Sequence, residues 1–132
     1  MAVTSSARGT FDVKVTPQTA ADAVPSRMTI DKRYHGDLEG TSKGEMLAAG
    51  TGGPGSSGGY VAIERVTCTL GDRAGTFVLQ HSGTMNRGTP HMTISVVPDS
   101  GTGGLAGIAG TMTIQIAAGK HSYEFSYSLP EK

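Results

Sequence analysis

The 132 residues carry eleven Lys+Arg against eleven Asp+Glu, a formal charge of zero that excludes a basic nucleic-acid footprint and an acidic tail. A chain of this length holds one domain, residues 1–132. The 36% hydrophobic share reaches about half once the 20 glycines are added, which excludes wholesale disorder.

In chain order, residues 9–16 alternate Phe11, Val13 and Val15 with Asp12, Lys14 and Thr16, the period of a half-buried strand. Residues 18–24 are the one stretch with helical character, a turn or two before Pro25. Residues 27–34 resume the alternation, with Met28, Ile30 and Tyr34 on one face. Strand-like runs follow at 38–47, 60–70, 76–85, 91–97, 111–117 and 121–129, bounded by Gly, Pro, Asp or Asn. Eight short strands without intervening helices predict an all-β antiparallel sandwich or barrel. Short connections, glycines inside strands (Gly40, Gly44, Gly83) and the liability of open edges favour the closed form. The prediction is an eight-stranded antiparallel β-barrel over about residues 9–129, with little helix.

Two hairpins can be registered. Turning within 71–74 opposes Cys68 to Phe77, Val66 to Leu79 and Glu64 to His81. A type II′ turn at Gly119-Lys120 opposes Ile116 to Tyr123, Ile114 to Phe125 and Met112 to Tyr127. Both registers keep the apolar sets on one face. Gly36-Asp37 as a turn mixes the faces unless a bulge intervenes.

Several patterns imitate chemistry. Gly40-Thr-Ser42-Lys-Gly44 has the spacing of a nucleophile elbow, but no helix follows it. Gly101-Thr-Gly103-Gly-Leu-Ala106 has dinucleotide-fingerprint spacing without the helix that would face a pyrophosphate. Residues 50–59 hold six glycines and no lysine, which suits a connector or a gating loop at a barrel mouth rather than a phosphate loop. His35, His81, His91 and His121 lack ligand spacing, so no metal and no cofactor is expected. The single cysteine, Cys68, excludes an internal disulfide framework and sits in an apolar run as a small hydrophobe. Residues 1–8 lack the apolar stretch of a secretory signal, and no run approaches the ~20 residues of a membrane helix. The expectation is a cytoplasmic protein with no membrane and no nucleic-acid partner.

Glu64 breaks the pattern, because its face is otherwise Tyr60, Ala62, Val66, Cys68 and Leu70. A carboxylate on such a face must be paired, hydrated or neutralised. Its registered neighbour His81 makes two readings available: a satisfied cross-strand ion pair, or a general acid/base pair at a pocket floor. In the second reading Glu64 and His81 are catalytic. Tyr34, Tyr60, Phe77, Gln80, Tyr123, Phe125 and Tyr127 then bind the ligand. Arg65 points outward. Val61, Ile63 and Val78 lie on the outer face, where apolar area favours a homo-oligomer.

The runs Ser42-Lys-Gly-Glu-Met-Leu47, Gly59-Tyr-Val-Ala-Ile-Glu-Arg-Val66, Phe77-Val-Leu-Gln-His-Ser-Gly-Thr-Met85 and Val96-Val-Pro-Asp-Ser-Gly-Thr-Gly103 resemble a bacterial family, domain of unknown function 3224. The family is grouped with allene oxide cyclase-like barrels, and the likeness spans residues 9–129. It implies an eight-stranded antiparallel barrel. The more distant plant cyclases hold an apolar fatty-acid epoxide and steer its ring closure largely by shape, an analogy of fold alone. The functional expectation is a barrel that binds a small hydrophobic molecule, as an isomerase or cyclase. The alternatives are a non-catalytic container or a filled oligomerisation module.

Overall fold

The computed structural model describes residues 3–20, 22–50 and 56–130. Its strands are β1 (Val3–Pro17), β2 (Ser26–Gly36), β3 (Leu38–Gly50), β4 (Gly58–Leu70), β5 (Arg73–Asn86), β6 (Thr89–Val96), β7 (Ala109–Ala117) and β8 (Lys120–Leu129). They close into a barrel in chain order, every neighbour antiparallel and β8 paired back to β1. Each strand-like run of the sequence falls on one of these strands.

The expected turn of helix at 18–24 does not form. Its described residues are bends and a turn, in which the Ala23 N–H bonds to the Ala20 carbonyl while the Gln18 N–H donates to Arg27 and Thr19 Oγ1 accepts from it. A one-turn helix fixes several dihedrals for one hydrogen bond, and here Pro25 ends it before it can propagate. The helix among the described residues is a short 3₁₀ turn, Gly103–Leu105. No described helix is long and apolar enough to cross a membrane.

Both expected hairpin registers are off by two residues. β4 and β5 join through the two-residue turn Gly71-Asp72, so Glu64 faces Leu79, Val66 faces Phe77 and His81 faces Ala62. Gly71 takes φ +65°, which a two-residue hairpin needs at its first central position. β7 and β8 join through Ala118-Gly119 instead of Gly119-Lys120. Both turn residues have positive φ, +52° and +78°, as a type I′ turn requires. Ile116 therefore faces His121, Ile114 faces Tyr123, and Met112 faces Phe125. Because the slip is even, every side chain keeps its face. Between β2 and β3, Tyr34 pairs with Gly40 and Gly36 takes φ +111°. Even-numbered residues point inward on both strands, so the faces do not mix.

The barrel's two ends differ. One is closed by the β2–β3, β4–β5 and β6–β7 connections, and the last folds inward to bury Leu105 and Ile108. Phe11, Tyr34, Leu38, Val66, Phe77, Leu79, Tyr123 and Phe125 fill the space beneath. The other end is a mouth ringed by the remaining hairpins. There the inward positions Met85 and Met92 stay 41% and 48% exposed. On the outer wall, Leu47, Val61 and Ile63 are also exposed, while Val78 is part-buried.

Candidate functional site

Strand alternation turns Lys32 and Tyr34 of β2, Ser42 and Gly44 of β3, Glu64 of β4 and His81 of β5 toward the barrel axis. Gly44 is the Cα partner of Glu64 and stands between it and β2. A Cβ on Gly44 would lie 2.2 Å from the Ile63 carbonyl oxygen and 2.9 Å from the Glu64 Cβ. With no side chain there, the carboxylate reaches across β3. It accepts hydrogen bonds from Lys32 Nζ at 2.8 Å and the Tyr34 hydroxyl at 2.5 Å, and pairs with His81 Nε2 at 2.6 Å. Tyr34 takes Oε1, while Lys32 and His81 share Oε2. Lys32 Nζ also lies 4.9 Å from the Phe11 ring centroid, a cation–π contact that helps hold the ammonium out of water. Glu64 is wholly buried and Lys32 and His81 nearly so. The Ser42 hydroxyl, buried beside them, has no well-formed hydrogen bond among the described residues.

Burial pushes the Glu64 carboxyl up. The His81 hydrogen bond and the Lys32 charge outweigh it, leaving the pKa at about 2. Burial, then the Glu64 charge, raise the Tyr34 hydroxyl well above its usual range. The group is thus a fixed carboxylate with its oxygens fully engaged by donors. Such a carboxylate is a strong electrostatic anchor and a poor proton acceptor. Burial drives the Cys68 thiol to about 11, which removes it as a nucleophile.

An apolar, ligand-sized space lies elsewhere, at the mouth. A cavity of about 360 Å³ is lined by Met46, Tyr60, Met85 and Met92 together with the bare backbone of Gly58, Gly59 and Gly83. Almost all of the exposed lining is apolar. The Tyr60 ring packs against Gly83, where a Cβ would come within 2.2 Å of a ring carbon. Burial first and then the Glu64 charge raise the Tyr60 hydroxyl pKa, so the mouth feels the buried carboxylate.

The expected site residues therefore separate. Glu64 and His81 meet, at a diagonal rather than directly opposed, and Tyr34 joins them. Tyr60 alone of the expected ligand residues lines the cavity. Phe125 stacks between Phe77 and Tyr127 in the filled end, with centroids 5.6 and 5.3 Å away. The Tyr123 hydroxyl accepts from the Leu38 N–H at 2.9 Å and clasps the β2–β3 connection. Gln80 is exposed on the outer wall, the face opposite to its neighbours Leu79 and His81. The glycine-rich loop is described only in part, because residues 51–55 lie outside the described residues. Sequence reasoning missed Lys32 and the three methionines. Lys32 carried the signal that found Glu64, a charge in the apolar alternation Met28, Ile30, Tyr34. The methionines sit at inward positions of their strands and read as ordinary core.

No curated protein matches the chain. A crystal structure of a protein of unknown function from the DUF3224 family, from Shewanella oneidensis MR-1, is 47% identical with a TM-score of 0.89. The match covers 98% of this chain and 100% of that one. The model of the family described as protein of unknown function (DUF3224) matches residues 7–127. With the match running from β1 into β8, this chain belongs to the DUF3224 family.

Proposed function

We propose that the protein binds one small hydrophobic molecule in the mouth of its barrel. The observation that carries this reading is the apolar cavity of about 360 Å³, at the small end of the ~300–1,000 Å³ range of ligand sites. Three methionines suit the task, since unbranched thioethers re-pack around differing shapes. The clefts at the closed end, about 250 and 350 Å³ around Asp72, Arg73 and Pro130, are as polar as they are apolar, and the rings beneath them are stacked on one another. The Lys32–Tyr34–Glu64–His81 group lies outside the lining, which favours a rigid charged floor over a proton-transfer pair. The site therefore reads as a container before it reads as an isomerase or cyclase.

The test uses the uncharged fluorescent probe N-phenyl-1-naphthylamine. Saturable one-site enhancement is expected. Met92→Glu, which places a charge at a half-exposed mouth position, should weaken binding at least ten-fold without lowering the melting temperature. Absence of saturable binding, or binding indifferent to Met92→Glu, would overturn the proposal.

A further inference from the structure

Resting on that reading of the mouth, the geometry points to the class of ligand: an uncharged apolar molecule carrying a hydrogen-bond acceptor, held by the Tyr60 hydroxyl, with carboxylates and other anions rejected. The inference follows from which polar groups the cavity owns. Met46, Met85 and Met92 offer thioethers, and Gly58, Gly59 and Gly83 offer backbone already engaged in the β3–β4 and β4–β5 ladders. Thr84 and His91 also border the space, but strand alternation sends both side chains to the outer wall, where they are exposed. Tyr60 is left as the inward side chain that carries a donor, and its hydroxyl can present no more than a small area to a lining that is almost wholly apolar. Its hydroxyl makes no hydrogen bond among the described residues, whereas the inward hydroxyls of Tyr34 and Tyr123 are both taken. The ring cannot retreat far, because it is seated on Gly83.

Two observations set the charge of the ligand. No Lys or Arg among the described residues lines the cavity, and the inward cation of β2, Lys32, is spent on Glu64. Burial and the Glu64 charge together hold the Tyr60 hydroxyl in its protonated, donating form. A ketone, ester or ether oxygen meets a donor there without bringing a charge that nothing neutralises.

A size-matched trio tests this at pH 7 by titration calorimetry on the full chain: 2-acetylnaphthalene, 2-ethylnaphthalene and 2-naphthoate. The ketone should bind about three- to ten-fold more tightly than the hydrocarbon, the span of one net hydrogen bond. The naphthoate should bind at least ten-fold more weakly than the ketone. Tyr60→Phe should bring the ketone-to-hydrocarbon affinity ratio to about one. If the hydrocarbon binds but the ketone shows no Tyr60-dependent advantage, or the naphthoate matches the ketone, the ligand-class inference is wrong while the cavity reading stands. If none of the three binds, both fail together.

Discussion

At the closed end, inward positions hold stacked rings: Phe77, Phe125 and Tyr127 in one column, Phe11, Tyr34 and Tyr123 in contact beside it. At the mouth the equivalent positions hold Met46, Met85, Met92 and glycine, and a cavity opens. The strands run from one end to the other, but β6 and β7 pair only at Ile94–Met112 and Ser95–Thr111 among the described residues, so the ladder between them does not continue to the mouth. Eight strands enclose a width that side chains can just fill or just leave free. Side-chain volume and the short β6–β7 ladder together decide between the two outcomes. Between the halves lies the Glu64 group, and it belongs energetically to the filled end.

The sharpest way to break that division is Glu64→Gln. The substitution leaves the buried Lys32 ammonium without its counter-charge and weakens the bonds from Tyr34 and His81. Breaking a buried pair in this way costs about 3–5 kcal/mol. Denaturant unfolding should show that loss, and Lys32→Met added to Glu64→Gln should recover part of it. At the mouth, Met92→Leu should change stability by less than about 1.5 kcal/mol. A Glu64→Gln protein within about 1 kcal/mol of the parent would place the group outside the load it is assigned here.

Acid probes the same group without mutation. Glu64 titrates at about 2 when folded, below the ordinary 4.5 of a free glutamate. As pH falls, the unfolded chain takes up this proton first, which favours unfolding. The contribution is therefore full above about pH 4.5 and is lost as pH drops toward 2. Subtracting the Glu64→Gln stability profile from the parent's should show a slope in that window. A flat difference curve would contradict the depressed pKa.

The sequence made the strands legible because one face of each is buried, and a two-residue period then has to show. Face, however, is indifferent to an even slip. Both hairpins were therefore misregistered by two residues while Glu64 and His81 stayed inside. Ala118 at φ +52° defeats turn rules that seek glycine or asparagine at each left-handed position. The Glu64–His81 contact was legible because a long carboxylate spans a diagonal as readily as a direct opposition. Lys32 and Tyr34 were not, since their contact with Glu64 crosses a whole strand and depends on the missing side chain of Gly44. The cavity was illegible for a related reason. Whether rings fill a barrel depends on how the layers stack along its axis, and a list of inward residues does not contain that.

Glycine substitutions separate the halves more finely. Gly44→Ala drives a Cβ into the Ile63 carbonyl and the Glu64 Cα, both backbone, so the β3–β4 pair must shift. A cost of about 1–3 kcal/mol is expected, as for other overpacked interiors. On the outer wall at the mouth end, a Cβ on Gly59 would lie toward Thr84 and meets nothing closer than 3.6 Å. Gly59→Ala should be neutral, or stabilising by up to about 1 kcal/mol through the unfolded chain. Equal losses in thermal unfolding would mean the outer wall at the mouth end is packed as tightly as the floor.

The smallest expected effect compares two inward tyrosines by removing one oxygen from each. The Tyr123 hydroxyl accepts the Leu38 N–H and lies 3.0 Å from the Leu38 carbonyl and 3.1 Å from that of His35. Tyr123→Phe leaves the buried Leu38 amide without its acceptor, a loss of about 1–1.5 kcal/mol. Tyr60 has no such partner among the described residues, and its ring stays seated on Gly83 when the oxygen is gone. Tyr60→Phe should shift stability by no more than about 0.5 kcal/mol, the scale of a change that breaks no named interaction. Chemical denaturation of the two variants side by side resolves a difference of this size. If Tyr60→Phe costs as much as Tyr123→Phe, its hydroxyl is already engaged in the free protein, and the mouth has no spare donor to offer a ligand.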